Sequence, residues 1–441
     1  MATTISIKLM VDKKTNRVVF AETKHDFVDL LLSFFTLPMG KITRLFGKIS
    51  SSTAIGCMKN LHSSVETLPE DHFQTGACRD MLFRHRRSSE VHCGHLKLNI
   101  DDSDRCYYRN RYDFYAFLSV YPNFSSFTDR IITNCASIST FADGSGVFVK
   151  GGLEAVYVVT NDLQVAYASM NNCISILRKL GVRDLSNLDE RTVTVGLQEA
   201  LQLLNCSLSS SSPMTDVFLR KGDREPSETI KTETLGTSKL QHKREGSAKS
   251  KTVAVKLMLR KSNKRVLMGC IDNLYMSIES LSKDGYIKSE EDKSLLIQPK
   301  LAPYLGYENQ LLAIEEELPP VYTFDSSSRY TQLADISLTN TFKVKLLNPK
   351  KYPRMVEESG GVFLKGSAKF MIMDDLVVKP LSHTSGLLLF SKLNLSLSDV
   401  EQCIASVKEE EALDLLMASL KSQTPLNILL LNFQNMKVES G

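Results

Sequence analysis

The sequence predicts an α+β fold built twice over, and three observations carry that expectation. Residues 146–151 read GVFVKG and residues 361–366 read GVFLKG, so a strand-like segment recurs far along the chain. Alternating apolar residues on either side of short polar turns mark hairpins. Apolar residues at steps of three and four then mark two helices near the end of each copy.

The register of the duplication follows residue by residue. Ile7-Lys8-Leu9-Met10 matches Val255-Lys256-Leu257-Met258, and Asn16-Arg17-Val18 matches Lys264-Arg265-Val266, both displaced by 248 positions. From Gly56-Cys57 against Gly269-Cys270 onward the displacement is 213, and it holds within two residues through Asp162-Leu163 against Asp375-Leu376 and Glu199-Ala200-Leu201 against Glu411-Ala412-Leu413. The second copy therefore lacks 35 residues, the counterpart of roughly Phe20 to Ile55. Register kept over such a length is the mark of a true internal repeat. The expected organisation is a first repeat domain at 1–213, a flexible basic linker at 214–250 and a second repeat domain at 251–437.

Each unit opens with a hairpin. Ile5, Ile7 and Leu9 alternate, Asp12 to Asn16 supply turn chemistry, and Arg17 to Ala21 is apolar-rich again. Asp26 to Phe35 reads as an amphipathic helix that stops before Pro38, because the residue preceding a proline is pushed out of helical geometry. This ββα opening is reminiscent of a ubiquitin-like grasp. The middle of the unit reads as one helix followed by irregular or short extended segments. A second hairpin comes next, Val156 to Thr160 and Leu163 to Tyr167 about the Asn161-Asp162 turn, with Asp374-Asp375 at the same place in the second copy. Two helices close the unit. Ile174, Leu177 and Leu180 correspond to Leu387, Phe390 and Leu393, and Leu201, Leu204 and Leu208 correspond to Leu413, Leu416 and Leu420. All are expected to be core. Ser406 with Glu409 forms a capping box for the last helix, where the first copy has Thr194.

With 441 residues, 42 % of them hydrophobic, the chain is long enough for two domains with their own cores. Met1 to Val11 does not resemble a secretory signal, and the apolar run Phe27 to Met39 contains Asp29 and Pro38 and is shorter than the ~20 residues of a membrane helix. The expected location is intracellular, cytoplasmic or nuclear, and the nine cysteines are expected to be reduced and largely buried. Net charge is +4, and the stretch Arg220 to Lys251 alone holds nine Lys/Arg against five Asp/Glu. The repeats are thus close to neutral, which argues against a nucleic-acid reader.

The landmarks KLMVDKKTNRVVFAE, DFVDLLLSFFTLPMG, GVFVKG, and NDL or DDL ahead of EAL-x-LL resemble the plant family known as domain of unknown function 674. In the second copy GCIDNLY, KLAPYLGYENQ and GVFLKG-x-A-x-FMI-x-DDL carry the same resemblance. It covers essentially everything outside the linker. It implies tandem diverged copies and brings no reaction, cofactor or substrate with it.

Metal binding is the sharpest chemical expectation. The first copy gathers Cys78, His92, Cys93, His95, Cys106 and Cys135, of which Cys78, Cys93, His95 and Cys135 are the candidate zinc ligands. A structural zinc site usually shows close ligand pairs such as C-x2-C, and this chain has none. The resembling family carries a Cys-x-Cys-Gly element before the GVFVKG strand, where this chain has Asn134-Cys135-Ala136-Ser137. Glu291 and Gly306 stand opposite Cys78 and Cys93 in the second copy. Free thiols are the favoured expectation, with no cofactor. Lys150 and Lys365, at equivalent places after the GVF strands, are candidate anion or partner contacts.

Catalytic motifs are missing from the sequence. Gly144-Ser145-Gly146 precedes a strand and lacks the Gly-Lys-Ser/Thr of a phosphate loop, and Asp101-Asp102 and Asp374-Asp375 are adjacent carboxylates suited to turns. A non-enzymatic protein-interaction module of two tandem repeats is the leading expectation. The alternative is a nucleic-acid-associated protein using the linker and the Arg/Tyr stretch 105–115, where bases stack between basic groups.

Overall fold

The computed structural model describes residues 4–47, 56–90, 92–101, 106–110, 117–121, 127–132, 146–152, 155–180, 182, 185–220, 257–260, 265–268, 270–306, 314–319, 322–325, 333–334, 341–351, 362–365, 369–381, 407 and 409–427. In the first repeat the elements are β1 (Ile5–Asp12), β2 (Arg17–Lys24), α1 (His25–Leu32), α2 (Met39–Gly47), α3 (Met58–Thr67), α4 (Gly76–Phe83), β3 (Cys106–Asn110), β4 (Phe117–Ser119) and β5 (Phe127–Ile132). They continue with β6 (Val156–Thr160), β7 (Val165–Tyr167), α5 (Met170–Lys179), β8 (Leu188–Val195), α6 (Leu197–Ser209) and α7 (Pro213–Phe218). The second repeat supplies β9 (Leu257–Arg260), β10 (Arg265–Met268), α8 (Ile271–Lys283), α9 (Glu290–Ile297), β11 (Tyr322–Asp325), β12 (Leu333–Ala334), β13 (Thr341–Leu346), β14 (Phe370–Ile372), β15 (Val378–Pro380) and α10 (Glu409–Lys421). The α+β class is the observed one.

The opening hairpin forms for the reason its sequence suggests. Asp12 accepts hydrogen bonds from Lys14 N (2.9 Å) and Thr15 Oγ1 (2.8 Å), and Asn16 takes the left-handed conformation that the tight turn needs. β1 and β2 lie at the centre of a five-stranded antiparallel sheet ordered β7-β6-β2-β1-β8. Its inner face, with Ile7, Leu9, Ala21, Tyr157 and Val159, packs on α1, α6 and α8 in one large core. The outer face buries only Val19, Phe20 and Val158, beneath α5.

That thin outer cluster explains one departure from expectation. Cys173, Ile176 and Leu177 of α5 rest on it, whereas Ile174 and Leu180 point away and are exposed, Leu180 by 51 %. Leu201, Leu204 and Leu208 are core as expected; Leu387, Phe390 and Leu393 lie outside the described residues. Strand β8 was not anticipated, since its charged LDERTVTV sequence suits a solvated sheet edge. Thr194 lies within it, and α6 is capped by Gly196, whose N–H donates to Glu199 Oε2 (3.1 Å). Ser406 lies outside the described residues. The first repeat also extends past position 213: Met214, Val217 and Phe218 of α7 are buried in the main core, and Thr215 N donates to Asn161 Oδ1 (3.0 Å). Residues 221–256 lie outside the described residues.

The middle third holds three antiparallel strands in each repeat, with the first of the three at the centre. β3 pairs with β4 and β5, β11 pairs with β12 and β13, and β13 joins β4 in parallel to make one six-stranded sheet.

The largest departure concerns how the repeats meet. Asn60 of α3 donates Nδ2 to Asp375 O (2.9 Å), and Ser64 Oγ accepts from Val378 N (2.9 Å). With the repeats interchanged the same bonds recur: Asn273 of α8 donates Nδ2 to Asp162 O (2.7 Å), and Ser277 Oγ accepts from Val165 N (2.7 Å). Cys57 N donates to Ser419 O (2.9 Å) as Cys270 N donates to Ser207 O (2.8 Å). Each repeat thus lends its first long helix to the hairpin and closing helix of the other, a reciprocal exchange inside one chain. Ile271, Leu274, Ile278 and Leu281 consequently sit in the same core as Phe27, Leu30 and Leu31. The packing units are composites, and differ from the sequence repeats 1–213 and 251–437.

Candidate interaction site at the second hairpin

The two composite units contain the same hairpin in unlike surroundings. β6 pairs with β7 through Tyr157↔Tyr167, Val158↔Ala166 and Val159↔Val165; β14 pairs with β15 through Phe370↔Pro380, Met371↔Lys379 and Ile372↔Val378. Every member is displaced by 213, and the turn residues Leu163 and Leu376 share a left-handed conformation. In the first unit β2 pairs along the other side of β6, from Phe20↔Thr160 to Lys24↔Val156. Among the described residues no strand takes that place beside β14, and the hairpin stands as a two-stranded sheet.

The duplication accounts for the difference. The counterpart of β2 is β10, whose last residue, Met268, corresponds to Phe20. The residues that pair with β6 beyond it, Ala21 to Lys24, fall within the 35 that the second copy lacks. So does α1, which covers the inner face of the first sheet with Phe27, Val28, Leu30, Leu31 and Leu32. Val159 is 0 % exposed whereas its counterpart Ile372 is 53 % exposed. Loss of the covering helix predicts exposed apolar surface around Val253, Val255 and Leu257. The first two lie outside the described residues, and it is Ile372 at the far hairpin that shows it.

The orientation of β14 defines what its open edge offers. Leu381 N donates to Lys369 O (2.9 Å) and Met373 N to Val377 O (3.0 Å), so Lys369, Met371 and Met373 turn their backbone groups toward β15. Phe370 and Ile372 therefore turn theirs to the open side. In the first unit Ala168 N to Val156 O (2.9 Å) and Thr160 N to Gln164 O (2.9 Å) fix the same alternation, leaving Tyr157 and Val159 to β2.

The lost segment also carried a buried electrostatic clamp. Asp29 of α1 accepts from Val147 N (2.7 Å), Phe148 N (2.8 Å) and Val149 N (3.0 Å), so one carboxylate organises the GVFVKG segment, which forms a bend with a single bridge from Val149 to Ile287 in place of the expected strand. Burial pushes its pKa up to about 6, against the opposing pull of the three N–H donors. Nothing in the second copy corresponds to Asp29. Elsewhere in the first copy Lys41 is paired with Asp101, which also meets Arg87 Nε at 3.0 Å, and these side chains are almost wholly buried.

The residues singled out from the sequence do not come together. Cys78 is buried with Leu68 and Phe73 and lies 3.2 Å from Thr75 Oγ1, while Cys93 is buried in the main core near Thr36 and Ser89. Cys106 lies in β3, His95 is half-buried, and Cys135 lies outside the described residues. His92 Nε2 sits 2.7 Å from Asp292 Oδ1, a contact between repeats. Among the described residues no three His, Cys, Asp or Glu converge as a metal site would require. Burial raises the pKa of the Cys57 thiol to about 11 and pushes that of Cys78 up, which holds these two in the unreactive protonated form. Lys150 and Lys365 occupy equivalent places through their backbones: Lys150 N donates to Tyr286 O (2.8 Å) and Lys365 N to His72 O (2.9 Å). Their side chains are exposed. Within the Arg/Tyr stretch Tyr107 is buried beneath Arg86, whose guanidinium carbon lies 5.3 Å from the ring centroid, which removes that ring from base stacking.

Comparison with known families matches the chain over residues 1–268 and again over 267–410 to the family described as Protein of unknown function (DUF674). The chain belongs to this family. No curated protein and no solved structure matches it. DUF674 membership thus supports the two tandem copies read from the sequence and leaves the activity to be argued from geometry. Among the described residues of this DUF674 protein, no helix is long and apolar enough to cross a membrane.

Proposed function

We infer that this chain is a non-catalytic protein-interaction module that works inside the plant cell, with the incomplete second unit as its binding surface and the complete first unit as its rigid support. One observation carries the reading: Ile372 is exposed on a strand that has no second neighbour among the described residues, whereas its counterpart Val159 is wholly buried. Exposed apolar residues beside unpaired backbone groups are the chemistry of a docking surface. The thiols held protonated and the dispersed histidines favour binding over catalysis. Protein is the partner class, since the repeats are close to neutral and Tyr107 is packed away.

A photoreactive residue placed at Ile372 in the full chain tests this, with the exposed strand residue Lys8 as control. Discrete protein adducts from Ile372 that Lys8 does not give are the expected result. Adduct patterns that match at the two positions overturn the reading.

A further inference from the structure

We propose that the open edge of β14 binds its partner by strand addition, accepting an extended segment antiparallel to Phe370–Ile372. The inference rests on the interaction reading above and specifies its mode.

The first unit shows what such an edge accepts. There β2 lies antiparallel on β6, with Ala21 opposite Val159 and Thr23 opposite Tyr157. Ala21 and Thr23 are buried while Glu22 and Lys24, which alternate with them, are exposed. The hairpin beside it is the same in both units, pair for pair. The second unit therefore presents the same acceptor with the same alternation, Phe370 and Ile372 directed outward, and lacks the residues that fill it. Main-chain bonds supply affinity in this mode, and alternate side chains supply specificity. The ligand is thus an extended peptide with small or β-branched residues alternating with charged ones, in the pattern of Phe20-Ala21-Glu22-Thr23-Lys24.

The β8 edge is built differently. β8 presents Asp189, Glu190 and Arg191, the charged residues that discourage pairing. β14 carries Phe370, Met371 and Ile372, with no charge among them.

The test uses the intact protein and a fluorescent peptide with the sequence RVVFAETK of Arg17–Lys24. Fluorescence anisotropy should show saturable binding. Methylating the peptide nitrogen at the Ala21 or Thr23 position, whose N–H faces the acceptor strand, should weaken binding at least about tenfold. Methylation at the Glu22 position, whose N–H faces away, should change it less than about threefold. Because the protein is unaltered throughout, misfolding does not enter the comparison. Ile372→Pro, which removes one outward N–H, provides the reciprocal variant and should reproduce the loss. Absence of saturable binding, or equal loss from methylation at all three positions, overturns strand addition. If strand addition fails while photoadducts at Ile372 persist, the interaction reading survives with another mode; if both fail, both readings fall.

Discussion

Among the described residues the inner strand of the same hairpin is paired on both sides in one half of this molecule and on one side in the other, and the difference teaches how much a few missing residues decide. Tyr157 and Val159 are enclosed because β2 lies beside them and α1 lies against their face of the sheet. Phe370 and Ile372 keep the identical pairing to their own second strand, yet the segment that would enclose them was lost from the second copy. Divergence between repeats thus turned a structural strand into an accessible one without altering the hairpin itself. The reciprocal exchange of α3 and α8 made the change tolerable, since each hairpin still rests on a helix of the other repeat.

A charge placed at the two equivalent positions breaks the comparison most sharply. Val159→Lys buries an unpaired ammonium and should cost more than about 4 kcal/mol, enough to prevent folding. Ile372→Lys should change stability by no more than about 0.5 kcal/mol. Denaturant unfolding of the two variants measures the contrast, and similar losses would mean that the hairpins share one environment.

Next in size is the clamp that only the first unit has. Asp29→Ala leaves the Val147, Phe148 and Val149 N–H groups without their acceptor, and a loss of about 3 kcal/mol is expected, as buried donors cost roughly 1–3 kcal/mol each when unpaired. The same carboxylate gives a pH signature. Its folded pKa, about 6, stands above the ordinary 3.8, so the folded state binds the proton more tightly. This component of stability is fully present below about pH 3.8 and is lost as pH rises through about 6. Asp29→Asn should flatten it, which unfolding curves at pH 4, 5, 6 and 7 would reveal; an unchanged slope would contradict the assignment.

A smaller asymmetry separates the exchanged helices. Asn273 Nδ2 reaches both Asp162 O (2.7 Å) and Asp162 Oδ2 (3.1 Å), whereas Asn60 reaches only Asp375 O (2.9 Å) in the corresponding place. Asn273→Ala should cost about 1.5 kcal/mol and Asn60→Ala about half as much. Equal costs would show that the two halves of the exchange are energetically equivalent.

Much of the fold was legible because its signals are local. The Asp12–Asn16 turn, the Asn161-Asp162 turn and the leucines of α6 each specify their element with nearby residues. β8 was hidden because a solvated edge strand carries charges that mimic a loop. Ile174 and Leu180 misled because helical spacing reports a shared face without saying how much apolar surface lies beneath it. The exchange was invisible for a deeper reason: Asn60 and Asn273 are equivalent, so the sequence is the same whether each serves its own repeat or the other. The missing 35 residues were plain in the alignment of the copies. That their absence opens β14 required the pairing of β2 with β6.

Amide hydrogen exchange along β6 and β14 tests the central claim most directly. The account predicts that the Tyr157 and Val159 amides, bonded to β2, exchange only with wide opening of the first unit, while the Phe370 and Ile372 amides exchange at rates close to those of an unprotected chain. Protection of Phe370 and Ile372 equal to that of Tyr157 and Val159 would contradict it.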